Sequence, residues 1–141
     1  MNARIPSPTL HSAEALERIG QVWDAQIVPQ LTEYIRIPAK SPMFAPDWAA
    51  EGLLDTVVRN AAAWVEAQKV AGLTLEIVRL PGRTPVLFFE VAATRAQSTQ
   101  TVLMYGHLDK QPEFEGWRKD LGPWTPLYED GKLYGRGGAD D

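Results

Sequence analysis

The sequence predicts an α/β layered fold, with helices first and a sheet of short apolar strands after them. Three observations carry this. Apolar residues recur at steps of three and four from Leu16 to Ile35 and again from Leu53 to Val70, the period of a helix face. The period then changes at Gly72, and Leu73, Leu75 and Ile77 alternate as in a strand. Continuous apolar runs at 85–91 and 102–105 suit strands covered on both faces. Helices followed by such runs point to layers around a central sheet.

Residues 1–9, with Pro6 and Pro8, read as a loose terminus. Ser12 with Glu14 is a reasonable helix start. Leu16, Ile19, Val22, Trp23, Ile27, Leu31, Tyr34 and Ile35 form the stripe of a helix bent near Pro29 and stopped by Pro38. That periodicity assigns Trp23 and Tyr34 to core packing. After a loop at 39–46, Asp47 can cap a second helix over 48–71, with Leu53, Leu54, Val57, Val58, Ala61, Trp64, Val65 and Val70 as its buried face. Gly72 is its stop. Strands are expected from Leu73 to Arg79 and over 85–91, joined by a turn at Leu80-Pro81-Gly82. A polar connector at 96–100 leads to a buried strand over 101–105, and Asp130-Gly131 reads as a hairpin turn. The chain ends shortly after that hairpin, leaving a sheet edge without a partner, so the expectation is part of a domain.

The composition narrows the chemistry. A chain of 141 residues with 45% apolar content suffices for a core. A net charge of −4, without a long run of like charges, speaks weakly against nucleic acid as a partner, since its binders usually carry a basic face. With no cysteine, disulfides and thiolate metal sites are excluded, leaving His and carboxylates as protein ligands. The start lacks a basic segment followed by an apolar one, and no apolar run approaches a membrane span. A soluble cytoplasmic protein without a membrane partner is the expectation.

The candidate chemistry lies in TVLMYGHLDKQPEFEGWRKDLGPWTPLYEDGKLYGRGGADD, residues 101–141. His107 follows a predicted strand, at the sheet end where ligands gather in open α/β folds. In extended chain, residues two apart share a side, so Asp109 can accept the N–H of the His107 ring, set its tautomer and strengthen the other nitrogen as a ligand. A His-x-Asp pair alone is common and weak. Asp140 and Asp141 follow Gly135, Gly137 and Gly138, which permit tight turns. A carboxylate carried on such a turn can bridge two cations, although taken alone an Asp-Asp pair after glycines is more often a plain turn.

The ordered combination is specific: Tyr105-Gly106-His107-Leu108-Asp109, Gln111-Pro112, Gly116-Trp117, Trp124-x-Pro126, then Asp130 through Gly137, then Asp140-Asp141. It resembles the zinc-dependent exopeptidase superfamily of carnosinase, glutamate carboxypeptidase and aminoacylase, and YGHLDKQP with DGKLYGRG is most similar to the dipeptidase branch. Residues 101–141 carry the resemblance closely, and residues 12–100 match in layout only. It implies the N-terminal part of a three-layer catalytic domain, two helices followed by a mixed sheet, with residues 1–141 a partial metallopeptidase domain lacking the lid and dimerisation domain. It implies His107 as a ligand of one of two zinc ions (cobalt and manganese being alternatives), Asp109 as the residue orienting it, Asp140 as the bridging carboxylate and Asp141 as a neighbour outside the ligand set. A general-base glutamate and the remaining ligands would follow beyond residue 141. The implied reaction is metal-dependent hydrolysis of one amide bond in a small peptide or N-acyl amino acid, by an intact protein able to form a homodimer. By ligand count the 141-residue chain alone is expected to bind zinc weakly and hydrolyse nothing.

Lys110 stands where many relatives carry a small apolar residue, which alters the charge of that loop. His11 is expected to be structural or exposed, and Trp117 and Trp124 to be packing anchors before substrate contacts. Two other classes compete. A truncated binding or assembly piece would remain inactive when downstream sequence is restored. A phosphate-binding module would use Gly135-Arg136-Gly137-Gly138, but no apolar helix follows to present its N-terminus.

Overall fold

The computed structural model describes residues 11–95 and 98–139. Helix α1 spans Ser12–Val22, a π-helical turn covers Trp23–Ile27, and α2 spans Val28–Arg36. The three run on as one rod, and the predicted bend near Pro29 is taken up by that π turn. Pro29 has no N–H and crowds the carbonyl four residues back, so the preceding turn is widened and Val28 N–H donates to Trp23 O. The rod ends at Ile37, which is extended, one residue before Pro38.

The second predicted helix is divided. Helix α3, Trp48–Glu51, closes on Gly52 at φ +68, and α4, Leu53–Ala67, starts from the same residue. Glycine holds a left-handed conformation at little steric cost, so the helix restarts with a new axis. Leu54, Val57, Val58 and Ala62 are its buried face. It stops at Ala67, earlier than expected, and Lys69 (φ 51) and Gly72 (φ 77) turn the chain into the sheet.

Strands β1 (Leu73–Val78) and β2 (Val86–Val91) pair antiparallel from Leu73↔Val91 to Val78↔Val86, and α4 packs on this hairpin. Asp55 of α4 accepts from Arg79 Nε at 2.9 Å and also pairs with Arg59. Strands β3 (Leu127–Glu129) and β4 (Lys132–Tyr134) form a second antiparallel pair. Its turn is Asp130-Gly131 as expected, with φ of +50 and +74, the two positive values a tight hairpin of this kind requires.

The core is Ala39, Leu54 and Val57, with Tyr34, Ile37, Trp48, Leu53 and Leu108 packed against it; Ile35 is fully buried. The α/β class and the helices-first order match expectation. Beyond the divided and shortened second helix, three readings of burial do not. Trp23 is 47% exposed, and Leu16 and Ile19 are exposed beside it. Helical period marks a face that favours cover without naming what covers it, and among the described residues nothing lies over this one. Strand β2 is half exposed on both faces, at Val86, Phe88, Phe89 and Val91. Residues 101–105 are not a buried strand: the backbone there is unpaired, and Val102, Leu103, Met104 and Tyr105 are each at least 85% exposed. An apolar run becomes a strand only where a ladder partner meets it, and no described strand does.

Candidate metal centre

His107 sits where the exposed segment 101–106 returns to the body of the protein. Asp109 follows it on the same side, and the two side chains meet: His107 Nδ1 lies 3.2 Å from Asp109 Oδ1 and 3.0 Å from Asp109 O. Two oxygens on one ring nitrogen favour the tautomer protonated at Nδ1, with Nε2 as the acceptor. Both side chains are about one-third exposed.

Residues 107–113 are held against the end of α2 by a set of cross-ties. Tyr34 Oη donates to Leu108 O at 3.0 Å. Lys110 N–H donates to Ala39 O and Ser41 N–H to Lys110 O, both at 2.9 Å, a single parallel bridge between the two segments. Lys40 Nζ reaches Glu113 Oε1 at 3.0 Å, and that hydrogen bond holds the Glu113 carboxyl below the usual carboxylate range.

The Lys110 side chain was not foreseen. It is 1% exposed, and its Nζ donates to Tyr34 O at 2.5 Å, Ile37 O at 2.6 Å and Ile35 O at 3.4 Å. These carbonyls lie at the C-terminal end of α2 and its cap, where the helical ladder runs out. Tyr34 O also accepts from Ile37 N–H and Ile37 O from Ala39 N–H, so Lys110 adds a second donor to those two and reaches Ile35 O besides. The ammonium also lies 3.8 Å from the centre of the Tyr34 ring. Burial pushes the Lys110 ammonium down to about 8. No sequence period marks a loop residue, and a lysine in place of the small apolar residue of many relatives reads as a change in loop charge, not as a sign of burial.

The glycine-rich loop closes the site. A Cβ on Gly135 (φ +146) would overlap Ile35, and one on Gly137 (φ +84) would lie 2.9–3.0 Å from the Lys110 stem. Arg136 N–H donates to Pro123 O, its Nε donates to Pro112 O, and its guanidinium lies 4.1 Å from the Phe114 ring centre. Trp117 Nε1 donates to Glu113 O at 2.9 Å, the anchoring role expected of it. Gly137, Gly138 and Ala139 then line a cavity of about 390 Å³ between α2 and α4, onto which His107 and Asp109 also open. The walls are mostly apolar, with Ile27, Leu31, Val57 and Trp64. Asp140 and Asp141 lie outside the described residues. Among the described residues no three His, Asp or Glu side chains cluster as a metal-binding group.

The donor chemistry fits a divalent cation: an imidazole whose Nδ1 faces a carboxylate is the arrangement by which such a ligand is oriented. No helix of the described residues is long and apolar enough to cross a membrane.

No family model matches the chain. Beta-Ala-His dipeptidase of Homo sapiens is 31% identical over 146 residues, covering 96% of this chain and 27% of that protein. The Mus musculus beta-Ala-His dipeptidase is 31% identical over 123 residues, 82% of this chain and 24% of its own length. Acetylornithine deacetylase of Proteus mirabilis (strain HI4320) is 32% identical over 108 residues, 76% of this chain and 26% of that enzyme. The chain spans about a quarter of the length of the curated relatives it matches. With similarity of this extent to dipeptidases and a deacetylase alike, the chain belongs to the dipeptidase- and deacetylase-like peptidase family of hydrolases.

Proposed function

We infer that the full-length protein is a metal-dependent hydrolase that cuts one amide bond in a dipeptide or an N-acyl amino acid, and that this chain is a partial catalytic domain contributing the first residues of the metal site. The observation that carries this reading is the His107 ring, engaged through Nδ1 by Asp109 on the rim of a groove that Gly138 and Ala139 also line. The names of the relatives support the substrate class: one acts on a dipeptide, the other removes an acetyl group from an amino acid.

In this reading His107 would hold the metal through the ring nitrogen that Asp109 leaves available, Asp109 would keep the ring in the required tautomer, and Asp140 would serve as a carboxylate ligand shared by two ions, with zinc as the working metal and cobalt or manganese as substitutes. Bound metal would polarise the scissile carbonyl and lower the pKa of an attacking water. The tasks of this chain's own residues are to orient the imidazole and to supply an apolar wall beside it, which strengthens electrostatic interactions at the rim. The intact protein is read as able to form a homodimer, and the 141-residue chain alone as inactive.

The test uses the full-length protein and its His107→Ala variant. Metal content and hydrolysis of a panel of dipeptides and N-acetyl amino acids are measured on both. Stoichiometric metal with activity in the wild type, and loss of both in the variant, is expected. Equal metal and equal turnover in the two would refute the assignment.

A further inference from the structure

Lys110 occupies a position that costs more than a packing residue requires. An ammonium taken out of water is expensive unless hydrogen-bonded oxygens replace its hydration. Here three carbonyls of the α2 terminus and the face of Tyr34 do so. A Leu or Met would fill the same volume without that cost, but it would leave the carbonyls of Tyr34, Ile35 and Ile37 without this donor. Lys110 also joins several parts of the frame around His107. Its backbone bridges Ala39 and Ser41, its stem lies under Gly137, and its peptide N–H belongs to the same unit as the Asp109 carbonyl that faces His107 Nδ1. Any displacement of Lys110 therefore moves the Asp109 carbonyl and the glycine loop together.

We propose that Lys110 is a positioning residue of the candidate metal centre: by clamping the end of α2 it fixes the Asp109 oxygens that set the His107 tautomer and seats the Gly135–Gly138 loop beside them. The role rests on the hydrolase reading above, because a fixed tautomer matters only if His107 Nε2 binds a metal. The clamp itself can be tested without metal.

Lys110→Met keeps the stem and removes the ammonium, and Lys110→Gln keeps an N–H donor without the charge. Both are made in the full-length protein beside Val58→Ala, a buried substitution on α4 that serves as a control for simple loss of stability. The first measurement is the imidazole ¹⁵N spectrum of metal-free protein, with the His107 signals identified by their loss in His107→Gln. The wild type and Val58→Ala are expected to show His107 as a single tautomer protonated at Nδ1. Lys110→Met should show averaging between tautomers, and Lys110→Gln an intermediate spectrum. The second measurement is zinc affinity by chelator competition, where a loss of about tenfold or more is expected for Lys110→Met and none for Val58→Ala. A wild-type imidazole spectrum in both Lys110 variants would overturn the proposal, as would equal changes in Val58→Ala. If Lys110→Met does not fold, Lys110→Gln decides by the same two measurements. A wild type that binds no zinc and hydrolyses no substrate refutes the hydrolase reading, while the spectra still decide whether the clamp exists.

Discussion

Raising the pH should stabilise this protein through Lys110, and replacing the lysine should abolish that gain. Burial lowers the folded-state pKa of Lys110 from 10.5 to about 8, while in the unfolded chain it returns to the ordinary value. Between these values the unfolded state binds more protons than the folded one, so stability rises with pH across that window. Below about pH 8 both states carry the charge and the folded protein bears the full cost of burying it. Above about 10.5 both are neutral and the cost is gone. At about 1.36 kcal/mol per pH unit, the difference between the two pKa values corresponds to about 3 kcal/mol. That figure is a ceiling, because the Tyr34, Ile35 and Ile37 carbonyls and the Tyr34 ring favour the charged form. The assay is urea unfolding of the full-length protein and of Lys110→Met at intervals from pH 7 to 10.5. The wild-type midpoint should climb relative to that of the variant, most steeply between pH 8 and 10. Parallel curves would refute the reasoning, and a wild type that weakens relative to Lys110→Met would reverse its sign.

Asp109→Asn keeps the shape of the side chain and removes its charge; metal affinity should fall by about ten- to a hundredfold, read by chelator competition on the full-length protein. Gly135→Ala places a methyl group against Ile35 at a φ of +146, combining backbone strain with overpacking, and should lower stability by about 2–4 kcal/mol in thermal melts. Asp55→Asn removes the ion pairs to Arg59 and Arg79, both side chains more than half exposed, so the loss should stay below about 1 kcal/mol; a larger fall in the urea midpoint would show that these contacts do more than decorate the surface.

The sequence by itself determined the class of each main element and the residues worth watching. Three-and-four spacing marked the helices, Asp130-Gly131 marked its hairpin, and the run from Tyr105 to Asp141 identified the family before any contact was known. These are local signals, in which backbone period, turn chemistry and motif order survive without a fold. The same locality explains the misreadings. Trp23 and residues 102–105 satisfy the pattern of burial, yet burial belongs to whatever packs on a face, and the described residues provide nothing there. Gly52 interrupts a stripe that continues past it, since periodicity counts side chains and is blind to a single φ of +68. Only the tertiary structure showed that the ends of α2 and the 107–113 loop share one frame, and that a loop lysine is its buried tie. Such a tie joins residues more than seventy positions apart, and its hydrogen bonds exist only once the chain has brought the carbonyls of a finished helix to meet it.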